Sequence, residues 1–250
     1  MSTMATHVEQ VPALGRAEAA ALAATENARF VRLVGLLSNG DWAAPTDCPA
    51  WDVRALASHV LGAMEANISI RVFIHQLRAG KKAAGDRPDI DGMTEVQVRE
   101  RNNLTPAELV EQLTTAAPRA ARARQRVPAP MRRLPLKVEV EKVMETWRLG
   151  YLLDIVFTRD TWMHRIDIAR ATGQPLELTA AHDGRIVADV VAEWARRHGL
   201  SFSLNLTGPA GGTFTGGDGG EDITLDAVEF CRILSGRGSG VGLLAQAVPF

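Results

Sequence analysis

Asp160 and His164 stand four residues apart, a spacing that puts both side chains on one face of a helix, one turn from each other, as helix-borne metal sites commonly require. The segment that carries them has an apolar stripe through Leu149, Leu152, Leu153, Val156 and Phe157, which continues through Met163 and Ile168. Asp160, His164 and Asp167 occupy places on that stripe where a helix bundle expects leucine. A carboxylate buried there without a partner costs on the order of several kcal/mol, so the face needs cations, donors or a metal. His59 lies on a second apolar stripe, with Leu56, Val60, Ala63, Ile70 and Ile74, and is expected to point inward as well. Two histidines and one carboxylate with an open position form a known catalytic zinc arrangement, and bundles assemble such sites from facing helices. The same donor set suits iron, nickel or cobalt. Two blander readings use the same residues: His59 as a hydrogen-bonded core histidine, and Asp160 with His164 as a buried ion pair. The coincidence of three ligand-type residues on two otherwise apolar faces puts the metal on an equal footing with these readings. Asp167 is expected to support a ligand rather than to be one.

Four helices of bundle length must position these groups. The first is expected from about Glu18 to Leu37, stopped by a left-handed cap at Asn39-Gly40. Asp52 caps a second that runs toward Gly80. Thr105-Pro106-Ala107-Glu108 combines a capping box with proline at the first helical position, which predicts a third helix to about Arg126. The fourth is expected from about Val143 to Thr172, closed by Gly173 and Pro175. Composition changes after that point. A helix over 180–198, alternating residues over 201–206, a glycine-rich turn, short strands near 213–215 and Ile223, and a helix from Asp226 to Leu234 predict a small α+β domain. The expected division is 1–175 and 176–250.

Bulk properties narrow the function classes. A chain of 250 residues with 46% apolar content can bury a sizeable core, and a net charge of -1 provides no drive toward nucleic acid or an anionic membrane. No apolar run reaches the length of a membrane span, the N-terminus lacks the order of a secretory signal, and Cys48 and Cys231 form no framework, so a cytoplasmic protein without disulfides is expected. Cys48 reads as a packed loop residue, and no cysteine is expected beside His59, Asp160 and His164. The basic run from Arg119 to Arg133 has no interleaved aromatic residue and reads as a solvated helix end and loop. The glycines at 211–220 read as turns, and those at 236–242 follow a helix, the wrong context for a phosphate cradle. His7, His75, His182 and His198 read as surface or cap residues.

Two stretches resemble a known family. Asp47-Cys48-Pro49-Ala50-Trp51-Asp52-Val53-Arg54-Ala55-Leu56-Ala57-Ser58-His59-Val60 and Asp160-Thr161-Trp162-Met163-His164-Arg165-Ile166-Asp167-Ile168 are similar to the mycothiol-dependent maleylpyruvate isomerases of the DinB-like superfamily. The segment Asp226 to Arg237 resembles the family's smaller C-terminal domain. The resemblance implies a mainly α fold, a DinB-like four-helix bundle followed by a small α+β domain. It also implies a zinc ion held by His59, Asp160 and His164. The family's acidic ligand is often glutamate, where this chain has the shorter Asp160, and Ala50 stands where glycine is common. The implied activity is activation of a low-molecular-weight thiol, mycothiol, for addition to or isomerisation of a small electrophilic substrate. A metal-assisted hydrolase, and a non-catalytic ligand-binding bundle with a structural or vestigial metal site, remain open beside it.

Overall fold

The computed structural model describes residues 5–140 and 143–250, and the fold is mainly helical. Contacts divide it into two compact units, one spanning Arg16–Leu176 and the other joining the described residues up to Gly15 with Glu177–Phe250. The start of the chain falls in the second unit because Thr6–His7 form a short strand, β1, paired in parallel with Phe214 and Thr215. No sequence signal announced that pairing.

The helical unit begins with α1 (Arg16–Val34). It ends earlier than the Asn39-Gly40 signal suggested: Gly40 has an ordinary φ of -72°, and the Asp41 carboxylate accepts from the backbone and hydroxyl of Ser38 to start a 3-10 turn at 41–43. Helix α2 (Val53–Ile68) is capped by Asp52, whose carboxylate accepts from Ala55 N at 2.8 Å. The single helix expected from there to Gly80 is broken. Ser69 leaves helical geometry at φ -132° and ψ 116°, and its hydroxyl caps a new helix, α3 (Ile70–Ala84). The inward stripe therefore stops short of Ile70 and Ile74, which are 63% and 40% exposed.

A further helix, α4 (Asp89–Arg99), was not anticipated. It packs almost backbone to backbone on α3, since a Cβ on Gly92 would lie 2.1 Å from Gly80 O. The capping box then forms as expected and opens α5 (Pro106–Arg126). After the short α6 (Ala129–Arg132) come β2 (Pro135–Val140) and β3 (Val143–Arg148), antiparallel, with Pro135 opposite Arg148. The fourth helix accordingly does not start at Val143. Val138, Val140, Thr146 and Trp147 are strand-favouring types, and each finds a cross-strand partner. Helical structure resumes with α7 (Leu149–Tyr151), a π turn over Leu152–Val156, and α8 (Phe157–Thr172), which Gly173 closes in the left-handed conformation at φ 69°.

Helices α1, α2, α5 and α8 make the bundle core, with Phe30, Leu56, Leu61, Leu109, Leu113 and Ile168 all inaccessible to solvent. A buried ion pair also joins α1 to α8, in which Arg165 Nε donates to Glu26 Oε1 at 2.5 Å.

In the other unit, α9 (Asp183–His198) is followed by β4 (Phe202–Thr207), β5 (Gly212–Gly216), β6 (Glu221–Asp226) and α10 (Ala227–Leu234), which Asp226 caps. The sheet order is β1-β5-β4-β6, with β4 antiparallel to β5 and parallel to β6. The Trp194 indole N–H donates to Leu243 O at 2.9 Å, and its ring meets Phe202 and Phe230 edge-on. Of the histidines expected as surface or cap residues, His182 takes the N-cap position of α9 and is buried there, and His75 is exposed and pairs with Glu100. Among the described residues no helix is long and apolar enough to cross a membrane.

Candidate metal centre

Every group of the candidate centre lies in the helical unit. Helix α2 presents His59 and α8 presents Asp160 and His164, and the fold brings the three together. His59 Nε2 lies 3.4 Å from Asp160 Oδ1, and His164 Nε2 lies 3.3 Å from the same oxygen. The two imidazoles meet edge-on, with centroids 5.1 Å apart. Both histidines are buried, while the Asp160 side chain keeps 20% exposure, so the cluster opens on the carboxylate side.

The far side of each ring is engaged. His164 Nδ1 lies 3.0 Å from Asp167 Oδ2, a carboxylate with no solvent exposure. His59 Nδ1 lies 2.7 Å from Gln97 Oε1 on α4. Each ring therefore spends Nδ1 on a protein acceptor and turns Nε2 inward. Ligand atoms about 2.0–2.1 Å from a tetrahedral zinc ion are about 3.3 Å from one another, which the two nitrogen-to-oxygen separations match. The donor set thus fits a divalent metal in both chemistry and spacing.

Electrostatics couple the three groups tightly. Burial alone would raise the Asp160 carboxyl, but the charges of His164 and then His59, with their hydrogen bonds, hold it far below the usual carboxylate range. Burial would lower His164, yet Asp160, helped by hydrogen bonds to Asp167 and Cys48, raises it well above the ordinary histidine value. Without a metal the centre holds a tightly bound proton between a carboxylate and an imidazole. Arg124 of α5 is buried nearby in charge terms: burial pushes it down to about 10, with Asp154 and Asp160 opposing, so it stays cationic at neutral pH. It donates to Leu153 O at 3.1 Å, and Arg132 pairs with Asp154, so the basic run is not wholly a solvated face.

Sequence reasoning missed three groups. The loop before α2 is pinned by Thr46, whose hydroxyl donates to Trp51 O at 2.7 Å and accepts from Cys48 N at 3.1 Å. This places the Trp51 ring 5.1 Å from His59 and 6.2 Å from His164, a hydrophobic cover on both imidazoles. It also places Cys48 Sγ 3.8 Å from Asp167 Oδ2. The expectation of no cysteine beside the centre is corrected: Cys48, His164 and Asp167 form a second close group. The third is Gln97, and its helix lacked any strong apolar period. Only the acids at Asp89 and Asp91 and the base at Arg99 signalled helix ends there.

The family model described as the mycothiol maleylpyruvate isomerase N-terminal domain matches residues 23–169, more than half of the chain. The chain belongs to this family. Two solved structures share the fold of this family member: a crystal structure of mycothiol-dependent maleylpyruvate isomerase, at 17% identity, and one of its histidine-to-alanine mutant, at 16%. Each alignment covers 94% of this chain and 93% of the other, with a TM-score of 0.58. No curated protein matches.

Proposed function

We propose that the chain is a metal-dependent enzyme that activates a low-molecular-weight thiol, mycothiol by family membership, for reaction with a small electrophile in the manner of a maleylpyruvate isomerase. The observation that carries this reading is the convergence of two imidazole Nε2 atoms on one Asp160 oxygen, at 3.4 and 3.3 Å, in a member of that family. His59, Asp160 and His164 would hold the ion, which we take as zinc because two histidines and one carboxylate with an open position form a catalytic zinc arrangement and the family resemblance names that metal. A divalent cation held there would supply Lewis acidity that lowers the pKa of a thiol and so favours a thiolate nucleophile at neutral pH.

The chain's own residues do the rest. Asp167 and Gln97 hold the rings by accepting from Nδ1, Trp51 shields them from water, and the partly exposed Asp160 marks the side from which thiol and substrate enter. With a cis-alkene diacid as substrate, reversible thiol addition removes the double bond, permits rotation and restores the trans alkene on elimination.

The test has two steps. Purified protein should carry about one divalent metal per chain by elemental analysis. The cobalt-substituted protein should then gain an intense near-ultraviolet sulfur-to-cobalt band, saturably, on titration with mycothiol, and His164→Ala should not. A protein that binds no metal after zinc reconstitution overturns the reading. A metal-loaded protein whose spectrum is indifferent to millimolar thiol points instead to metal-assisted hydrolysis.

A further inference from the structure

A chain of buried amides runs away from His59. His59 Nδ1 meets Gln97 Oε1 at 2.7 Å, Gln97 Nε2 donates to Gln76 Oε1 at 2.8 Å, and Gln76 Nε2 donates to Gly62 O at 3.0 Å. Gln76 and Gln97 are 0% and 1% exposed, so no water competes for these bonds. The chain ends on a backbone carbonyl, which can only accept. That end sets the direction of every bond in it. Gln76 must turn its NH2 to Gly62 and its oxygen to Gln97, Gln97 must then turn its NH2 to Gln76 and its oxygen to His59, and His59 must donate through Nδ1–H. The lone pair of the neutral ring is left on Nε2, the nitrogen that faces Asp160 and His164.

We infer that Gln97 and Gln76 are positioning residues that lock His59 in the Nδ1–H tautomer and so aim the Nε2 lone pair at the metal position. The lock itself is a property of the metal-free chain, and only its consequence for metal affinity rests on the function proposed above. The network spans three helices. Gln97 comes from α4, Gln76 from α3, and both His59 and the terminal carbonyl from α2. Gly62 allows it, because a Cβ there would sit 2.7 Å from Gln97 Cβ and push α4 off α2. Helix α4, which contributes no candidate ligand of its own, thereby serves the centre through Gln97. The two histidines are held differently: His164 by the carboxylate of Asp167, His59 by a relay of neutral amides.

The test begins with long-range proton–nitrogen correlation spectra of 15N-labelled, metal-free protein, at a pH high enough to leave the His59 ring neutral. His59 should carry its proton on Nδ1, and a ring protonated on Nε2, or an even mixture, overturns the inference whether or not the protein binds metal. Gln76→Leu never touches His59, yet it should free the Gln97 amide to turn, populate the Nε2–H tautomer and weaken zinc binding in a competition titration by about 10 to 100-fold. Gln76→Glu should restore both, since the neutral acid accepts from Gln97 and donates to Gly62 O. Gln97→Met should behave like Gln76→Leu, while Gln97→Glu keeps an acceptor for Nδ1 and should hold tautomer and affinity. Circular dichroism reports whether each variant is folded. A folded Gln76→Leu or Gln97→Met protein with an unchanged His59 tautomer overturns the inference, as does an Nε2–H ring in Gln97→Glu. Elemental analysis of the parent judges the metal reading separately.

Discussion

At the scale of single residues, Asp160 carries the centre, because both imidazoles face one of its oxygens. Asp160→Ala should weaken zinc by at least about 10 to 100-fold, a loss already typical of supporting residues, whereas Asp160→Glu should retain binding. A competition titration showing equal affinity for the alanine variant and the parent would remove Asp160 from the ligand set. The pH dependence follows from the two shifted groups. The His164 pKa is raised in the fold, so in metal-free protein its contribution is full below the ordinary histidine value and is lost as pH climbs through the raised one. The Asp160 pKa is lowered, so its contribution is present above the ordinary carboxylate value and is lost only as pH falls through the depressed one. Melting temperatures of metal-free protein should therefore decline on the alkaline side. Zinc affinity should do the opposite and rise with pH up to the His164 value, because the ion must displace that proton. Parallel trends in the two measurements would contradict the coupled pair. These three residues were legible in the sequence because ionisable side chains interrupt apolar stripes. Cys48 and Trp51 were not, because a loop residue's neighbours depend on a turn held by one hydroxyl, that of Thr46.

At the scale of elements, caps and close approaches decide where helices start and how near they come. The Thr105 and Glu108 box, the Asp52 cap and the Gly173 stop were visible because each satisfies helix-end groups locally. The break at Ser69 was hidden, since serine is tolerated inside helices and only the turn toward α4 makes its capping role decisive. The strand β3 was hidden for a related reason: Val143 to Arg148 has both periods within reach, and pairing with β2 selects the extended one. Gly62→Ala should cost about 1–3 kcal/mol by overpacking and should also weaken zinc, since α4 carries the acceptor for His59. Chemical denaturation and a metal titration on the same variant check both halves. Glu26→Ala separates stability from metal binding. Removing the carboxylate that accepts from the buried Arg165 guanidinium should cost up to about 3–5 kcal/mol, with the metal still bound if the variant folds. A Glu26→Ala protein as stable as the parent would show that the pair contributes nothing net.

At the scale of the whole molecule, all candidate ligands and their supports lie within Arg16–Leu176, the unit that contains the family match. An expressed 16–176 fragment should therefore bind zinc with the stoichiometry of the full chain. Elemental analysis of a folded, metal-free fragment after reconstitution would contradict that. Because the ion would tie α2 to α8, it should also stabilise the fold, by about 2.7 kcal/mol at a free concentration one hundred times its Kd, and chelation should lower the melting temperature accordingly. What the sequence alone determined was local in kind: apolar period, caps and the four-residue spacing on α8 indicated a helical bundle, a small α+β remainder and three inward polar groups. What only tertiary structure decided was non-local. The pairing of Thr6–His7 into the C-terminal sheet, the break at Ser69, the strand at 143–148 and the reach of Gln97 to His59 each depend on residues distant in the chain. Spacing and capping are properties of one or two turns of backbone, whereas a hydrogen bond between helices exists only after packing has fixed both partners.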